Sequence, residues 1–427
     1  MGGNGYYAMV SAVTTYNGDL IAGGSFATAD GRPASGIARW DGSTWYPLGQ
    51  GVDPPPNGVG SLTVYNGSLI VGGFFGRAGG LSAHCIARWD GTAWSRLGSG
   101  TSNSVNALTV YNGDLIAGGL FRMAGGNNAF YIARLNGSTW SPLGSGLNSQ
   151  VNALAVYDGK LFAGGNFTVA GGDSAAGIAQ WDGSSWSPVR TGVGGISGSG
   201  VESLTPYNGV LVVGGGFVTA GGNHAVNIAT WDGQAWAPLG VGLSSAPDGL
   251  TAYGSNLIAG GEFTLAGGNP ANYVATWNGS SWSAMGSGMN SAVFALTYYN
   301  GQIVAVGLFT EAGGFPASGV AAWDDAVSVP DNQASRLTLT PFAYPNPTPG
   351  PCRISFGIPT EGPASVEVVG IDGRQVRHLF DGPRGAGTFS LNWDGRDDAG
   401  QKLPAGVYLT RVQTAGSVST GRVVLIK

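Results

Sequence analysis

A seven-bladed β-propeller followed by a small β-sandwich is the all-β architecture that this sequence predicts. Three observations carry the prediction. A unit of about 46 residues recurs seven times over roughly three quarters of the chain. Each unit reads as four short alternating strands joined by tight turns. Helical periodicity is missing from end to end, and the remaining C-terminal stretch shows short strands in a different pattern.

Aromatic residues anchor the repeat. A Tyr before Asn-Gly or a variant stands at Tyr16, Tyr65, Tyr111, Tyr157, Tyr207, Tyr253 and Tyr299, spaced by 49, 46, 46, 50, 46 and 46 residues. Twenty-four residues after each comes Trp40, Trp89, Leu135, Trp181, Trp231, Trp277 or Trp323. A second Trp follows five later in six copies, at Trp45, Trp94, Trp140, Trp186, Trp236 and Trp282; the seventh lacks it. In the third unit the first strand is 105–111, and Asn112-Gly113 suits the positive φ of a two-residue hairpin turn. The second strand is 114–119, a longer loop covers 122–128, and the third strand is 131–135. Asn136-Gly137 then turns into a fourth strand carrying Thr139-Trp140. Each blade is covered on both faces by its neighbours. That accounts for Ala and Gly where sheets approach, and it assigns the Trp rows to core packing.

Composition narrows the function. Gly is 78 of 427 residues, yet 44 residues are aromatic, which argues against disorder. Charged residues make up 10%, the net charge is −5, and the only lysines are Lys160, Lys402 and Lys427. That balance leaves no basic patch for nucleic acid. No apolar run is long enough for a membrane-spanning helix, and the first five residues do not read as a signal peptide. Cys85 and Cys352 are expected as unpaired thiols, and neither has a zinc-ligand spacing. His84, His224 and His378 stand apart, and no Gly-x-Ser-x-Gly elbow precedes a helix. No catalytic residue, metal or cofactor is therefore assigned. Asp394, Asp397 and Asp398 end a hairpin, which favours a turn role over calcium.

The strand Leu115-Ile116-Ala117-Gly118-Gly119 and the spaced pair Trp181 and Trp186 resemble kelch-type propeller repeats. The doublet is intact in six copies and is Val306-Gly307 in the seventh; the aromatic spacing is shorter than usual for kelch. Aligning Tyr16 with Tyr299 sets Met1 at Ala284, two residues past Trp282. The missing outer strand of the last blade is then expected upstream of Met1, in a longer precursor. A three-stranded blade with an open edge and further blades upstream are the alternatives.

Residues 325–340 break the repeat and read as a linker between a propeller at 1–324 and an Ig-like unit at 341–427. Tyr344-Pro345-Asn346-Pro347, Trp393-Asp394-Gly395 and Gly406-Val407-Tyr408 resemble the Ig-like C-terminal sorting domains of type IX secretion. They are also similar to the Ig-like domain of the flagellar hook-capping protein. This resemblance implies recognition by outer-membrane secretion machinery, and a location outside or on the surface of a Gram-negative bacterium.

The second-to-third loops and the blade-to-blade connections share one face of the ring, and loops on a rigid scaffold carry binding. Asn127, Asn128, Asp173, Asn223, His224 and Asn269 are the candidate polar contacts there. Arg39, Arg88 and Arg134 occupy one repeat position in three blades and are candidates for an anion-binding stripe. The expected function is non-catalytic binding of a surface glycan or protein, or surface assembly through the open edge. The alternative is a glycan-active hydrolase or lyase with its site in the central funnel; a cluster of carboxylates or arginines there would favour it.

Overall fold

The computed structural model describes residues 8–53, 58–195, 200–324, 339, 341–344, 348, 350–358, 361–385 and 387–425. They form two compact units, Met1–Val327 and Ser328–Lys427. The first holds seven antiparallel blade sheets in chain order, six of four strands and a last one of three among the described residues, together with smaller sheets of two or three short strands. In the third sheet Val105–Tyr111, Asp114–Gly119, Ile132–Asn136 and Thr139–Pro142 pair in sequence from the inside outward. Asn112 and Gly113 have φ of 50° and 82°, as the turn requires. Val10, Leu20 and Phe26 of the first blade pack with Tyr299, Val304 and Val306 of the seventh, so the ring closes.

The period of the sequence follows from bonds that tie each blade to the next. The Tyr111 hydroxyl donates to Gly159 O (3.3 Å) and that of Tyr207 to Ser255 O (2.6 Å), both in the first turn of the following blade. The outer Trp works in the other direction. Trp140 Nε1 donates to Leu97 O, and Trp282 Nε1 to Leu239 O, in the preceding blade (2.9 and 3.0 Å). Its ring also faces its cross-strand partner, with Trp89 and Trp94 at 5.3 Å. A Cβ on Gly118 would meet Val151 of the next blade at 2.6 Å, so the first residue of that doublet must stay small.

Two expectations need correction. The stretch expected as a loop at 122–128 is a miniature hairpin: Met123–Ala124 pairs with Asn127–Asn128 around Gly125-Gly126. The connectors are also not free loops. Each lends a residue to the next blade's hairpin, as in Thr101 with Ala124, Leu147 with Ala170 and Met289 with Ala312. The backbone polar groups of both segments are thereby paired instead of left to water.

In the seventh blade Val320–Asp324 is the last paired strand among the described residues. Across that junction Trp40 and Trp45 are half-buried, whereas Trp181, Trp186, Trp231, Trp236, Trp277 and Trp282 are buried.

The C-terminal unit sets a sheet of Phe342–Tyr344, Cys352–Ile358 and Gly387–Trp393 beside one of Gln375–Arg384, Gly362–Gly370, Gly406–Thr414 and Ser417–Leu425. Its core joins Trp393, Ile354, Val366, Val412 and Tyr408. Cys85 and Cys352 are both free and buried.

Candidate binding site at the channel mouth

Every inner strand breaks its pairing register once, at the same place. The breaks fall between Val10 and Ala12, Val59 and Ser61, Val105 and Ala107, Val151 and Ala153, Val201 and Ser203, Pro247 and Gly249, and Val293 and Ala295. The extra residues are Ser11, Gly60, Asn106, Asn152, Glu202, Asp248 and Phe294. An inner strand has no sheet neighbour on its axial side, and a bulge re-aims the residue it inserts. The seven bulges thus ring the channel mouth on the connector face, one per blade. The chemistry changes around the ring at this position, only the third and fourth blades sharing a residue, Asn, although the strand around it is repeated.

Asn106 Nδ2 donates to Val151 O at 3.4 Å and accepts at Oδ1 from Ser104 Oγ. Asn152 Nδ2 reaches Val201 O, Glu202 Oε2 (2.8 Å) and Asn166 Oδ1. Beyond them the ring turns acidic. Burial pushes the Glu202 carboxyl up, opposed by the Asn152 amide. Burial, then the charges of Glu202 and Glu262, push Asp248 up to about 7. Neither Glu202, Asp248 nor Glu262 forms an ion pair among the described residues. A carboxylate cluster therefore does stand in the funnel, although no group of described residues is arranged to hold a metal ion. On the opposite side of the mouth lies a cavity of about 300 Å³ lined by Met9, Ser11, Val59, Phe74, Ser104 and Asn106.

The candidate residues named from sequence do not converge on this mouth. Asn127, Asn128, Asp173, Asn223, His224 and Asn269 all sit, exposed, on the second arms of the miniature hairpins. Those hairpins pack against the outer strands of their own blades, which spreads the residues around the perimeter. Asn127 Nδ2 is bonded to Trp140 O. The arginines are held within their blades: Arg39 on Asp19 (2.6 Å), Arg134 near Asp114 (3.6 Å) and Arg88 on the Ser68 hydroxyl. Paired in this way, they make no continuous stripe. The bulge residues were missed because one inserted residue breaks the two-residue alternation. The signal for them is the most variable position of the strand, set between a Val (Pro247 in the sixth blade) and a small residue.

In the Ig-like unit Pro345, Asn346 and Pro347 lie outside the described residues, and Tyr344 closes a short strand. Trp393 is buried, with Nε1 donating to Arg396 O; Asp394 Oδ1 accepts from Arg396 N, and Gly395 has φ 75°. Gly406 opens a strand, and the Tyr408 hydroxyl donates to Pro404 O. Asp397 and Asp398 accept from the backbone N–H groups of Gln401 and His378. These bonds give the motif residues roles in forming the fold.

The family model of the Rax2 C-terminal β-propeller domain matches residues 57–249, and that of the FlgD Ig-like domain matches residues 353–417. No curated protein matches the sequence. Among solved structures the chain is similar to PorZ of Porphyromonas gingivalis, described as an essential bacterial surface component of the type IX secretion system. Identity is 14% and TM-score 0.45 over all of this chain and 60% of that one, so the chain spans less than two thirds of it. Latent PorU of the same organism gives 11% identity and TM-score 0.20, over 86% of this chain and 33% of that one. A family 43 arabinoxylan arabinofuranohydrolase from Bacillus subtilis gives 12% and 0.24, over 98% and 95%. By its sheets and by the two families its segments match, the chain is a β-propeller followed by an Ig-like domain.

Proposed function

We propose that this protein is a non-catalytic, secreted or cell-surface propeller of the kelch-like, seven-bladed kind that binds a glycan or protein ligand. Its Ig-like domain would serve export or anchoring through outer-membrane secretion machinery of a Gram-negative bacterium. The observation that carries the binding part is the channel mouth, where a repeated frame presents seven residues of six kinds on a rigid ring. Pockets with a few placed polar groups at such openings are the default ligand sites. The export part rests on the likeness of the C-terminal motifs to sorting domains. Intact mass of the protein from the producer's surface and medium tests it. Loss of the residues from about 340 onward supports an export signal; retention through Lys427 assigns the domain to structure or anchoring.

One observation favours a second reading. Asp248, pushed up to about 7, stands among carboxylates, and a carboxyl held protonated near neutrality beside an ionised one suits glycoside hydrolysis. Reducing-end release from plant or bacterial polysaccharides that disappears in both D248N and E202Q supports the hydrolase; release that survives either substitution removes it. Self-assembly through the edge of Val320–Asp324 is the partner reading, and light scattering of the full chain tests it.

A further inference from the structure

Five blades show what fills the outer gap that the seventh leaves open. Trp94, Trp140, Trp186, Trp236 and Trp282 each insert between their own miniature hairpin and the preceding blade. Each donates its indole N–H to a carbonyl of that blade, from Leu48 O to Leu239 O, at 2.9–3.2 Å. A Cβ on the first glycine of the hairpin turn, from Gly79 to Gly267, would meet that Trp at 2.5–3.1 Å. On Gly313 of the seventh blade it meets only Phe315, at 3.9 Å. On the connector, a Cβ at Gly240 would lie 3.0 Å from Trp277 and 3.5 Å from Trp282, whereas its counterpart Gly286 meets nothing within 4 Å among the described residues. Ala312 is half-buried, although its six counterparts are at most 1% exposed. Five residues after Trp323 the sequence carries Ser328, so the chain offers no ring at that spacing. A recess shaped for an indole is left between Met285-Gly286 and Ala312-Gly313, beside Trp323.

A second observation on the other side of the same edge points to the same missing strand. At the sister junctions the acceptor for the outer Trp is the third residue after the preceding blade's own outer Trp, as Val189 follows Trp186 and Leu239 follows Trp236. Trp45 is half-buried, and its indole N–H has no such acceptor among the described residues. One strand beside Val320–Asp324 would therefore fill the recess on one side and satisfy Trp45 on the other. The site is continuous with two established interfaces, the apolar clusters of Met285, Met289 and Phe309 and of Phe26, Tyr299 and Val304. The sister blades also give the sequence of such a strand. Four of the six read Trp-x-Pro, as in Trp186-Ser187-Pro188 and Trp236-Ala237-Pro238. Pro is tolerated there because an outermost strand has N–H groups with no ladder to serve.

Resting on the reading of this edge as a contact site, we propose that Val320–Asp324 takes an extended Trp-x-Pro segment of a different polypeptide. The segment runs antiparallel, with its Trp opposite Trp323 as Trp186 stands opposite Trp181. The Trp enters the recess and donates to Met285 O, and the carbonyl of the residue after the Pro accepts from Trp45 Nε1. Main-chain bonds to the edge supply affinity, and the indole recess supplies specificity. A second copy of this chain is not the donor, because each of its own Trp-x-Pro strands is already paired within a blade.

The test is calorimetric titration of the full chain with a synthetic peptide copying residues Ser184–Arg190. One peptide is expected to bind per chain. The same peptide with Ser in place of its Trp should bind about tenfold more weakly or worse, as loss of a buried aromatic anchor implies. In the protein, Trp45→Phe should weaken binding about two- to tenfold, the worth of one hydrogen bond. Ala322→Pro should abolish it with the melting temperature nearly unchanged. In the fourth blade Asp182 N donates outward to Ser185 O, so the N–H two residues back, at Gln180, faces the outer strand as well. Ala322 is its counterpart, and its N–H faces the open edge instead of the ladder to Val304. Absence of peptide binding, or binding indifferent to loss of the peptide's Trp, overturns the proposal, and this peptide series decides even if Ala322→Pro does not fold. Light scattering of the full chain separates the two levels. If the peptide fails while the chain self-associates and Ala322→Pro makes it monomeric, the edge remains a contact site and the Trp-x-Pro partner falls; if the peptide fails and the chain is monomeric, both fall.

Discussion

The junction between the third and fourth blades and the one between the seventh and the first are built from the same repeat and held differently. At the former, Tyr111 donates forward to Gly159 O, Trp186 donates back to Leu143 O, and Asn106 crosses near the axis to Val151 O. At the latter, apolar packing of Val10 and Phe26 with Val304 and Val306 joins the blades. There Trp45 is half-buried, and its indole N–H has no acceptor among the described residues. The inner ends differ as well. Asn152 bridges the fourth blade to the fifth, whereas at the next junction the Ser203 hydroxyl donates to Pro247 O while burial and the charge of Glu202 raise Asp248. A repeat thus sets where a contact can form, and the single residues at the junction decide whether it ties the blades or strains them.

The largest expected effect separates the two outer junctions. Trp186 is 4% exposed and bonded to Leu143 O. Trp186→Ala should cost about 3–5 kcal/mol in denaturant unfolding, and Trp45→Ala no more than about 1–2 kcal/mol. Equal losses would erase the distinction.

The next concerns the acidic junction. Asp248 has a folded pKa of about 7, above its unfolded value near 4, so the folded state holds the proton more tightly. Its stabilising contribution is full below about pH 4 and is lost as pH rises through about 7, on the order of a few kcal/mol. Melting temperature should therefore rise on acidification from pH 8 to pH 5, and D248N should flatten that slope. A slope unchanged in D248N would show that the junction is not strained by this group.

Smaller still is Tyr111→Phe, which deletes one cross-blade hydroxyl bond and should cost about 0.5–1.5 kcal/mol in the same unfolding measurement. The smallest effect lies on the exposed turns. Hydrogen bonds from the backbone of Ala93 and Thr92, then the Thr92 hydroxyl, hold Asp90 down at about 2. Its contribution is present above about pH 4 and lost as pH falls through about 2. Asp90→Ala should shift only the acid limb of the melting curve, and slightly.

How much of this was legible depended on whether a feature keeps the period. Tyr111, Asn112-Gly113 and Trp140 recur at fixed spacing, so the strands, the turns and the buried aromatic rows could be read from residues alone. Gly125-Gly126 also recurs, yet a two-residue arm on either side is too short to show alternation, and the hairpin read as a loop. The channel mouth was the least legible. Ser11, Gly60 and Asn106 lie at a bulge, where an inserted residue reverses the inside–outside phase, so pattern reading places them on a strand face instead of at the axis. In the Ig-like unit Trp393 and Tyr408 were found as motif residues, while the ten-residue strand Gln375–Arg384 was not read as a strand from its mixed composition.

Tyr hydroxyls that reach forward and Trp indoles that reach back, at opposite edges of the same blades, oppose shear as well as separation. A wheel braced at two heights resists both tilting and sliding of its segments. For a ligand of the kind proposed above, the opening at the hub would be set in advance, and little of its affinity would be spent on arranging the host.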